Sequence, residues 1–199
     1  LTNGQIKKYF DQLATAIPLP LIIYNIPATI HTSISLEVID ELSHHHNIVG
    51  IKDSERSVER MHRSINLWKQ RKDFSHFMGW SAKSAEALLS GSDGIVPSTG
   101  NYVPQIYREM EEAVAQGNVE KAYKMQELSD YFGNIYQAGR TLGESLWALK
   151  VLMNELNLCK PIVIPPLQAQ SDREAERLVE ALKNALETVE VMEHDVRFN

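Results

Sequence analysis

Three features are scarce or absent in this 199-residue sequence: cysteine, long apolar runs and clusters of basic residues. The one cysteine, Cys159, has no partner for an internal disulfide. No apolar run approaches the roughly 18 residues of a membrane-crossing helix, and the polar start lacks the basic region of a signal peptide. Net charge is −6, with no basic cluster. These absences argue against membrane and nucleic-acid partners and predict a cytoplasmic protein.

The hydrophobic pattern changes along the chain from alternating helices and strands to helices alone. Short runs rich in Val, Ile and aromatic residues predict four strands. A helix precedes the first strand and another follows each strand, which predicts β-α units and a parallel sheet. The predicted strands are Leu21–Asn25, a run that begins at Ile48, Phe74–Gly79 and Ile95–Pro97. From the pattern alone, a small doubly wound sheet and half of a (β/α)8 barrel are equally favoured.

The region after Gly117 is expected to be entirely helical. Its predicted helices are Val119–Tyr136, Leu142–Leu156 and a last one from Asp172 to about Met192. We therefore expect two parts, a β/α part over residues 1–117 and a helical extension over residues 118–199.

One lysine closes the second predicted strand, Ile48-Val49-Gly50-Ile51-Lys52. A buried ammonium is costly, so Lys52 at the mouth of a parallel sheet is expected to favour its uncharged form. Such an amine is a nucleophile that can form a Schiff base with a carbonyl substrate. The alternative is a lysine whose stem lies on the strand while its head reaches water. Tyr24, at the end of the neighbouring strand, could enter the same pocket and shuttle protons, or be an ordinary core aromatic.

Several short motifs, taken in order, resemble the dihydrodipicolinate synthase/N-acetylneuraminate lyase family. They are Tyr24-Asn25-Ile26-Pro27, then Gly50-Ile51-Lys52-Asp53-Ser54, then Gly79, then Ser92-Asp93-Gly94, and the match covers roughly residues 1–185. The resemblance implies a class I aldolase with a (β/α)8 barrel, tetrameric as a rule, that acts on pyruvate or another 2-keto acid. It also implies that no cofactor is needed beyond the covalent Schiff base.

The resemblance assigns roles residue by residue. Lys52 matches the Schiff-base lysine and Tyr24 matches the proton-relay tyrosine. The remaining matches are substrate-side positions: Ser54, Gly79, Ile95 and Ser98. Asp53, on the opposite strand face from Lys52, is interpreted as structural.

The sequence departs from the family in its first part. The family's Gly-Thr-Thr/Ser loop, which binds the keto-acid carboxylate, does not occur. The resemblance then implies about the C-terminal half of a barrel, strands 5–8, followed by the helical extension. We expect the chain to be inactive by itself and to aggregate or pair with a second copy. The alternatives are a non-catalytic truncated barrel that serves assembly or folding, and an unrelated α/β binding domain.

The expected substrate rests on two further departures. Thr29 stands where synthases that use aspartate semialdehyde carry arginine, and Trp80 begins the stretch where sialic-acid lyases carry acidic residues. Both favour a 2-keto-3-deoxy sugar-acid aldolase or a related synthase-like enzyme. The run His44-His45-His46 invites a metal interpretation, but consecutive histidines cannot all face one ion, so no metal site is predicted.

Overall fold

The computed structural model, which describes residues 1–196, contains a four-stranded parallel sheet in the order β1-β2-β3-β4. The strands are β1 Leu21–Asn25, β2 Ile48–Asp53, β3 Ser75–Met78 and β4 Gly94–Ile95. The predicted parallel sheet is confirmed. Because the described strands follow one another in sequence order without a reversal, the doubly wound alternative is not supported. Strand β4 is shorter than predicted and ends before Pro97, which has no backbone N–H to continue a ladder.

Helices alternate with the strands and then continue alone. Several begin at a side-chain cap, as in α1, where Thr2 and Gln5 form a capping box. The helices are α1 Asn3–Ala16, α2 Pro27–Ile30, α3 Leu36–Leu42, α4 Val58–Trp68, α5 Ser84–Ser90, α6 Pro104–Ala115, α7 Val119–Gln137, α8 Leu142–Glu155 and α9 Asp172–Val196. Short 3₁₀ turns occupy Ser81–Lys83 and Ser98–Asn101. The single-turn helix α2 was not predicted; it begins at Pro27 and ends at His31, which has φ 51°.

The chain divides into two compact units, residues 1–97 with 109–126, and residues 98–108 with those from 127 onwards. In the first unit, Ile23 and Ile51 of the sheet pack against apolar side chains of α1, α3 and α4, including the fully buried Trp68. A second cluster joins Met61 and Ile65 of α4 to Met78 and Ala87. These contacts hold the helices on one face of the sheet, since burial of apolar surface is the main stabilising term.

The second unit has its own core. The rings of Phe132 and Tyr136 pack edge-on against Tyr102, whose hydroxyl donates to the Phe132 carbonyl at 2.7 Å. Helix α8 packs against α9. The expected division at residue 117, between a β/α part and a helical extension, stays a prediction. Over the part of the chain that the structure describes, no helix is both long and apolar enough to cross a bilayer.

Candidate active site

Successive side chains of β1 alternate between a covered and an open face of the sheet. Ile23 and Asn25 are fully buried, whereas Ile22 and Tyr24 are 48% and 44% exposed. Register partners in a parallel sheet share a face. The strand pairing therefore assigns residues of β2, β3 and β4 to the same face as either the buried or the exposed residues of β1. We call one set the helix-covered face, comprising Ile23, Asn25, Ile51, Asp53, His76 and Met78. We call the other the bare face, comprising Ile22, Tyr24, Gly50, Lys52, Phe77 and Gly94.

Lys52 and Tyr24 lie side by side on the bare face, near the carboxyl ends of their strands. They are register partners of β2 and β1, and Lys52 Nζ lies 4.2 Å from the centroid of the Tyr24 ring. Lys52 is half-buried. The structure therefore brings together an amine and a phenol at the edge of the sheet where parallel α/β folds bind ligands.

Gly79, one residue beyond β3, closes this corner of the site. A Cβ atom there would lie 2.0 Å from Ser54 Oγ and 3.1 Å from Lys52 Cε. The Gly79 N–H donates to the Asp53 carbonyl at 2.7 Å, and the Ser54 N–H donates to the Asn25 carbonyl at 2.9 Å. The structure thus places Ser54 and Gly79 beside Lys52, and the missing side chain at residue 79 leaves room for the lysine stem.

Phe77 bounds the lysine on the side of β3. It is the register partner of both Lys52 and Gly94. A Cβ at Gly94 would lie 3.1 Å from the Phe77 ring, and a Cβ at Gly50 would lie 2.7 Å from the Ser75 carbonyl oxygen. The same Gly50 Cβ would lie 3.6 Å from the Phe77 ring, so two glycines flank an aromatic ring on the bare face, on the strand next to that of Lys52.

Ile95 lies away from the lysine. Its register partner is Met78 on the helix-covered face, and it packs against the cluster that contains Met61 and Ile65. The next residue, Val96, is 43% exposed. It lies two residues after Gly94, so strand alternation assigns it to the bare face. A substrate contact by the Ile95 side chain is not favoured by this placement, and strand alternation applied to Gly94 and Lys52 points to Val96 instead.

Ser98 belongs to the second unit. Its Oγ lies 2.6 Å from the Tyr136 hydroxyl, which is also 3.2 Å from Thr99 Oγ1 and accepts from Gln137 Nε2 at 2.7 Å. Ser98 itself is exposed. Its expected role as a substrate-side hydroxyl stays a prediction.

A polar network lies on the helix-covered face, directly behind the amine and the phenol. Asn25 Nδ2 donates to Asp53 Oδ1 at 2.9 Å and to Glu55 Oε2 at 3.1 Å. Arg60 Nε donates to Asp53 Oδ2 at 2.7 Å and lies 3.5 Å from Glu55 Oε2. Buried carboxylates require partners of this kind, which agrees with the structural interpretation of Asp53.

Glu55 is held ionised within this network. Burial by itself would raise the pKa of Glu55, but hydrogen bonds from Ser33, at 2.5 Å, and from Asn25, together with the charge of Arg60, lower it below its usual value. Asn25 had no predicted role beyond its place in the motif Tyr24-Asn25-Ile26-Pro27. The available signal was its position, since Asn25 directly follows Tyr24 as Asp53 directly follows Lys52.

The three consecutive histidines lie between α3 and β2, before the start of the strand that carries Lys52 near its other end. The rings of His45 and His46 stack with centroids 4.6 Å apart, and His45 Nδ1 accepts from the Asn47 N–H at 3.1 Å. Among the side chains that the structure describes, no group of three or more His, Cys, Asp or Glu is arranged to hold a metal ion. The absence of a cofactor stays a prediction.

Comparison with known proteins places the motifs in one family. The profile of the Dihydrodipicolinate synthetase family matches residues 2–185. The chain belongs to this family. It is 28% identical over 185 residues to a 4-hydroxy-tetrahydrodipicolinate synthase of Alkalilimnicola ehrlichii, covering 92% of this chain and 61% of that protein. It is 30% identical over 182 residues to an uncharacterised DapA-like lyase of Pyrococcus horikoshii, covering 90% and 62%.

Other family relatives differ in name. An Escherichia coli protein with the provisional name 2-dehydro-3-deoxy-D-gluconate aldolase is 27% identical over 172 residues, covering 83% of this chain and 55% of that protein. The chain thus spans about three fifths of the length of the curated relatives it matches.

Solved structures show the same fold. Dihydrodipicolinate synthase of Bacteroides thetaiotaomicron superposes with a TM-score of 0.84 at 25% identity, covering 92% of this chain and 62% of that one. The synthase of Acinetobacter baumannii, solved in complex with pyruvate, superposes with a TM-score of 0.78 at 26% identity, covering 93% and 62%. These neighbours are TIM-barrel proteins of the family, so the parallel sheet is of the barrel type.

Proposed function

We propose that this chain carries the Schiff-base half of a class I lyase that acts on pyruvate or another 2-keto acid. The observation that carries the proposal is the 4.2 Å approach of Lys52 Nζ to the Tyr24 ring at the carboxyl ends of adjacent parallel strands. In the barrel, the sheet would correspond to strands 5–8. The family of synthases and lyases to which the chain belongs supports the same chemistry.

The first half of the reaction is the formation of an imine. The uncharged amine of Lys52 attacks the keto carbon, a C–N bond forms, and the carbonyl oxygen takes up a proton to give a carbinolamine. Loss of that oxygen as water leaves the protonated imine. The Tyr24 hydroxyl, next to the amine, is suited to deliver and recover these protons. Phe77, the register partner of Lys52, adds an apolar side chain to the same face of the sheet.

The imine then acts as the electron sink for making or breaking a carbon–carbon bond. In the cleavage direction, the hydroxyl of the departing carbon gives up its proton, which the Tyr24 oxygen is suited to take, and becomes the carbonyl of the leaving aldehyde. The electrons of the broken carbon–carbon bond pass into the imine and form an enamine. Protonation of the enamine carbon and hydrolysis of the imine release pyruvate and restore the amine. No metal or organic cofactor is needed for this sequence.

For the second substrate, we propose a sugar-derived aldehyde. Thr29 stands where the resemblance to aspartate-semialdehyde synthases calls for arginine, and one relative carries the provisional name of a 2-dehydro-3-deoxy-D-gluconate aldolase. Assembly into several copies, implied by the family resemblance, is likewise a proposal.

Reductive trapping tests the function. The protein is incubated with pyruvate and sodium borohydride, and the Lys52 peptide is measured by mass spectrometry. We expect a mass increase on that peptide, and no increase in Lys52→Arg, because a guanidinium is not nucleophilic at neutral pH. Absence of the adduct from the whole protein that contains this chain would contradict the proposal and favour the non-catalytic alternative. Absence from the chain by itself would fit its expected inactivity in isolation.

A further inference from the structure

The geometry points to Asn25 as the positioning residue that keeps the Tyr24 ring against the Lys52 amine, through its buried hydrogen bond to Asp53. This inference rests on the proposed function for its catalytic consequence, but its structural content can be measured separately. Asn25 and Asp53 are register partners, one step beyond the partners Tyr24 and Lys52. Their side chains occupy the opposite face of the same two strand ends.

Asn25 is held in one orientation by three hydrogen bonds. Its Nδ2 donates to Asp53 Oδ1 and Glu55 Oε2, while its Oδ1 accepts from the Ile34 N–H at 3.1 Å. A flipped amide would direct Oδ1 at two carboxylates and Nδ2 at an N–H group. Because Asn25 is fully buried, a lost partner could not be replaced by bulk water, so this orientation is strongly preferred.

Asp53 is fixed from its other side. Its Oδ1 also accepts from the Glu55 N–H at 3.0 Å, and its Oδ2 accepts from Arg60 Nε at 2.7 Å. Charge-assisted bonds of this length are the stronger kind. The Asn25–Asp53 bond therefore connects β1 to a carboxylate that is anchored to the start of α4.

The side chains of Tyr24 and Lys52 are less restrained than those of Asn25 and Asp53. Tyr24 is 44% exposed, and the flexible lysine side chain has several rotatable bonds. The direction in which each side chain leaves its strand depends on the backbone of residues 24–25 and 52–53. The network restrains that backbone from the covered face, while Gly79 N–H to Asp53 O restrains it from β3.

Asn47 supplies a matched control at the other end of β2. Its Nδ2 also makes two hydrogen bonds, to the carbonyls of Ala14 and Ile17, both at 2.9 Å. Asn47→Ala removes the same chemical group and the same number of donated bonds as Asn25→Ala. It lies five residues before Lys52, away from the strand ends that carry the amine and the phenol.

The first measurement reports the position of Lys52 Nζ relative to the Tyr24 ring and needs no reaction with a keto acid. Lysines of the full chain are reductively methylated with carbon-13 formaldehyde, and the dimethyl-lysine signal of Lys52 is assigned by its loss in Lys52→Arg. Because Nζ lies over the Tyr24 ring, we expect a ring-current shift upfield of the other lysines that disappears in Tyr24→Leu. We expect the shift to collapse in Asn25→Ala and to persist in Asn47→Ala. Where Asn25→Ala does not fold by circular dichroism, Asn25→Ser, which can still donate one bond, replaces it.

The second measurement is the rate of trapping at Lys52 by pyruvate and borohydride in the whole protein. Asn25→Ala should lower this rate by about 10²-fold, as expected when a reacting group is displaced by about 1 Å, while Asn47→Ala should stay near wild type. An unchanged ring-current shift in Asn25→Ala overturns the inference. A wild-type protein that shows the shift but forms no adduct overturns the proposed function instead and leaves the positioning role standing.

Discussion

The two faces of the sheet differ in what their side chains contact. On the helix-covered face, apolar side chains are buried against α1, α3 and α4, and each buried carboxylate has donors. On the bare face, Ile22 and Tyr24 are nearly half exposed, and the lysine contacts an aromatic ring. The same strands thus build stability on one side and present reactive groups on the other.

Stability and chemistry can therefore be varied separately, because strand alternation assigns adjacent residues to opposite faces. Substitutions on the helix-covered face should act mainly on the free energy of unfolding. Substitutions on the bare face should act mainly on the reactivity of Lys52. Asn25 is the exception we infer, since it lies on the covered face but acts on the bare one.

The largest effect is expected from breaking the covered face at its buried carboxylate. Asp53→Ala removes the closer of the two carboxylates that Arg60 and Asn25 share and leaves both groups buried, so the free energy of unfolding should fall by about 3–5 kcal/mol. Urea titration followed by circular dichroism measures this. Lys7→Ala, which removes an exposed ion pair with Glu41, should cost less than about 1 kcal/mol. Equal losses in the two variants would contradict the role given to burial.

The adjacent residues Ile22 and Ile23 lie on opposite faces of β1 and can be truncated in the same way. Ile23→Ala empties a fully buried position and should cost about 2–5 kcal/mol. Ile22→Ala removes the same atoms from a half-exposed position and should stay within about 1 kcal/mol. The difference between the two urea midpoints is the measurement. Similar midpoints would mean that, in the assembled protein, the bare face is covered to the same extent as the helix-covered face.

Acid should weaken the covered face through His76. Burial lowers the pKa of His76 to about 4, and the charges of Asp53 and Asp93 only partly oppose this, while Arg60 adds to it. The ring nitrogens lie 3.0 Å from Ser64 Oγ and 2.9 Å from Ser92 Oγ.

Between pH 6.5 and about 4 the unfolded chain binds the extra proton, so stability should fall as the pH falls through that range. The loss is at most about 3–4 kcal/mol at 1.36 kcal/mol per pKa unit. Urea midpoints measured across this range should change less in His76→Asn, whereas His46→Asn, at an exposed position, should leave the slope unchanged. A slope that survives in His76→Asn would assign the acid sensitivity to other groups.

The smallest effect on stability, with a clear effect on reactivity, is expected at Gly79. In Gly79→Ala the new methyl group meets Ser54 Oγ and Lys52 Cε, which can move, and the Asp53 carbonyl oxygen at 3.1 Å, which must give by only a few tenths of an ångström. The loss should therefore lie at the low end for overpacking, about 1 kcal/mol. Trapping by pyruvate should slow more than tenfold because the lysine stem is displaced.

The double variant Gly79→Ala/Ser54→Ala separates the two contacts. It removes the serine oxygen but keeps the methyl group against the lysine. Recovery of the wild-type trapping rate in this variant would show that the serine contact, and not the lysine contact, caused the loss.

Much of the fold could be predicted because its signals are local. The composition of the runs Leu21–Asn25 and Ile48–Asp53 predicts strands. The spacing of Thr2 and Gln5 predicts the start of α1. Alternation of these elements was enough to predict a parallel sheet. The unpredicted α2 forms in four residues after Pro27, where periodicity has too few positions to be visible.

The candidate site was predictable only in part. Lys52 and Tyr24 end neighbouring strands, and strand alternation predicted their common face before any distance was known. Ile95 shows the limit, because its face depends on the register of a two-residue strand with Met78. A shift of one residue exchanges Ile95 for Val96.

Residue types and their spacing along the chain specify which residues form strands, which side chains alternate, and that a lysine and a tyrosine end adjacent strands. That Asn25, Asp53, Glu55 and Arg60 form one buried network behind them became visible with the folded chain. The physical reason is that propensity and period act over a few neighbouring residues, whereas a hydrogen bond between residues 28 apart exists only after the strands have paired.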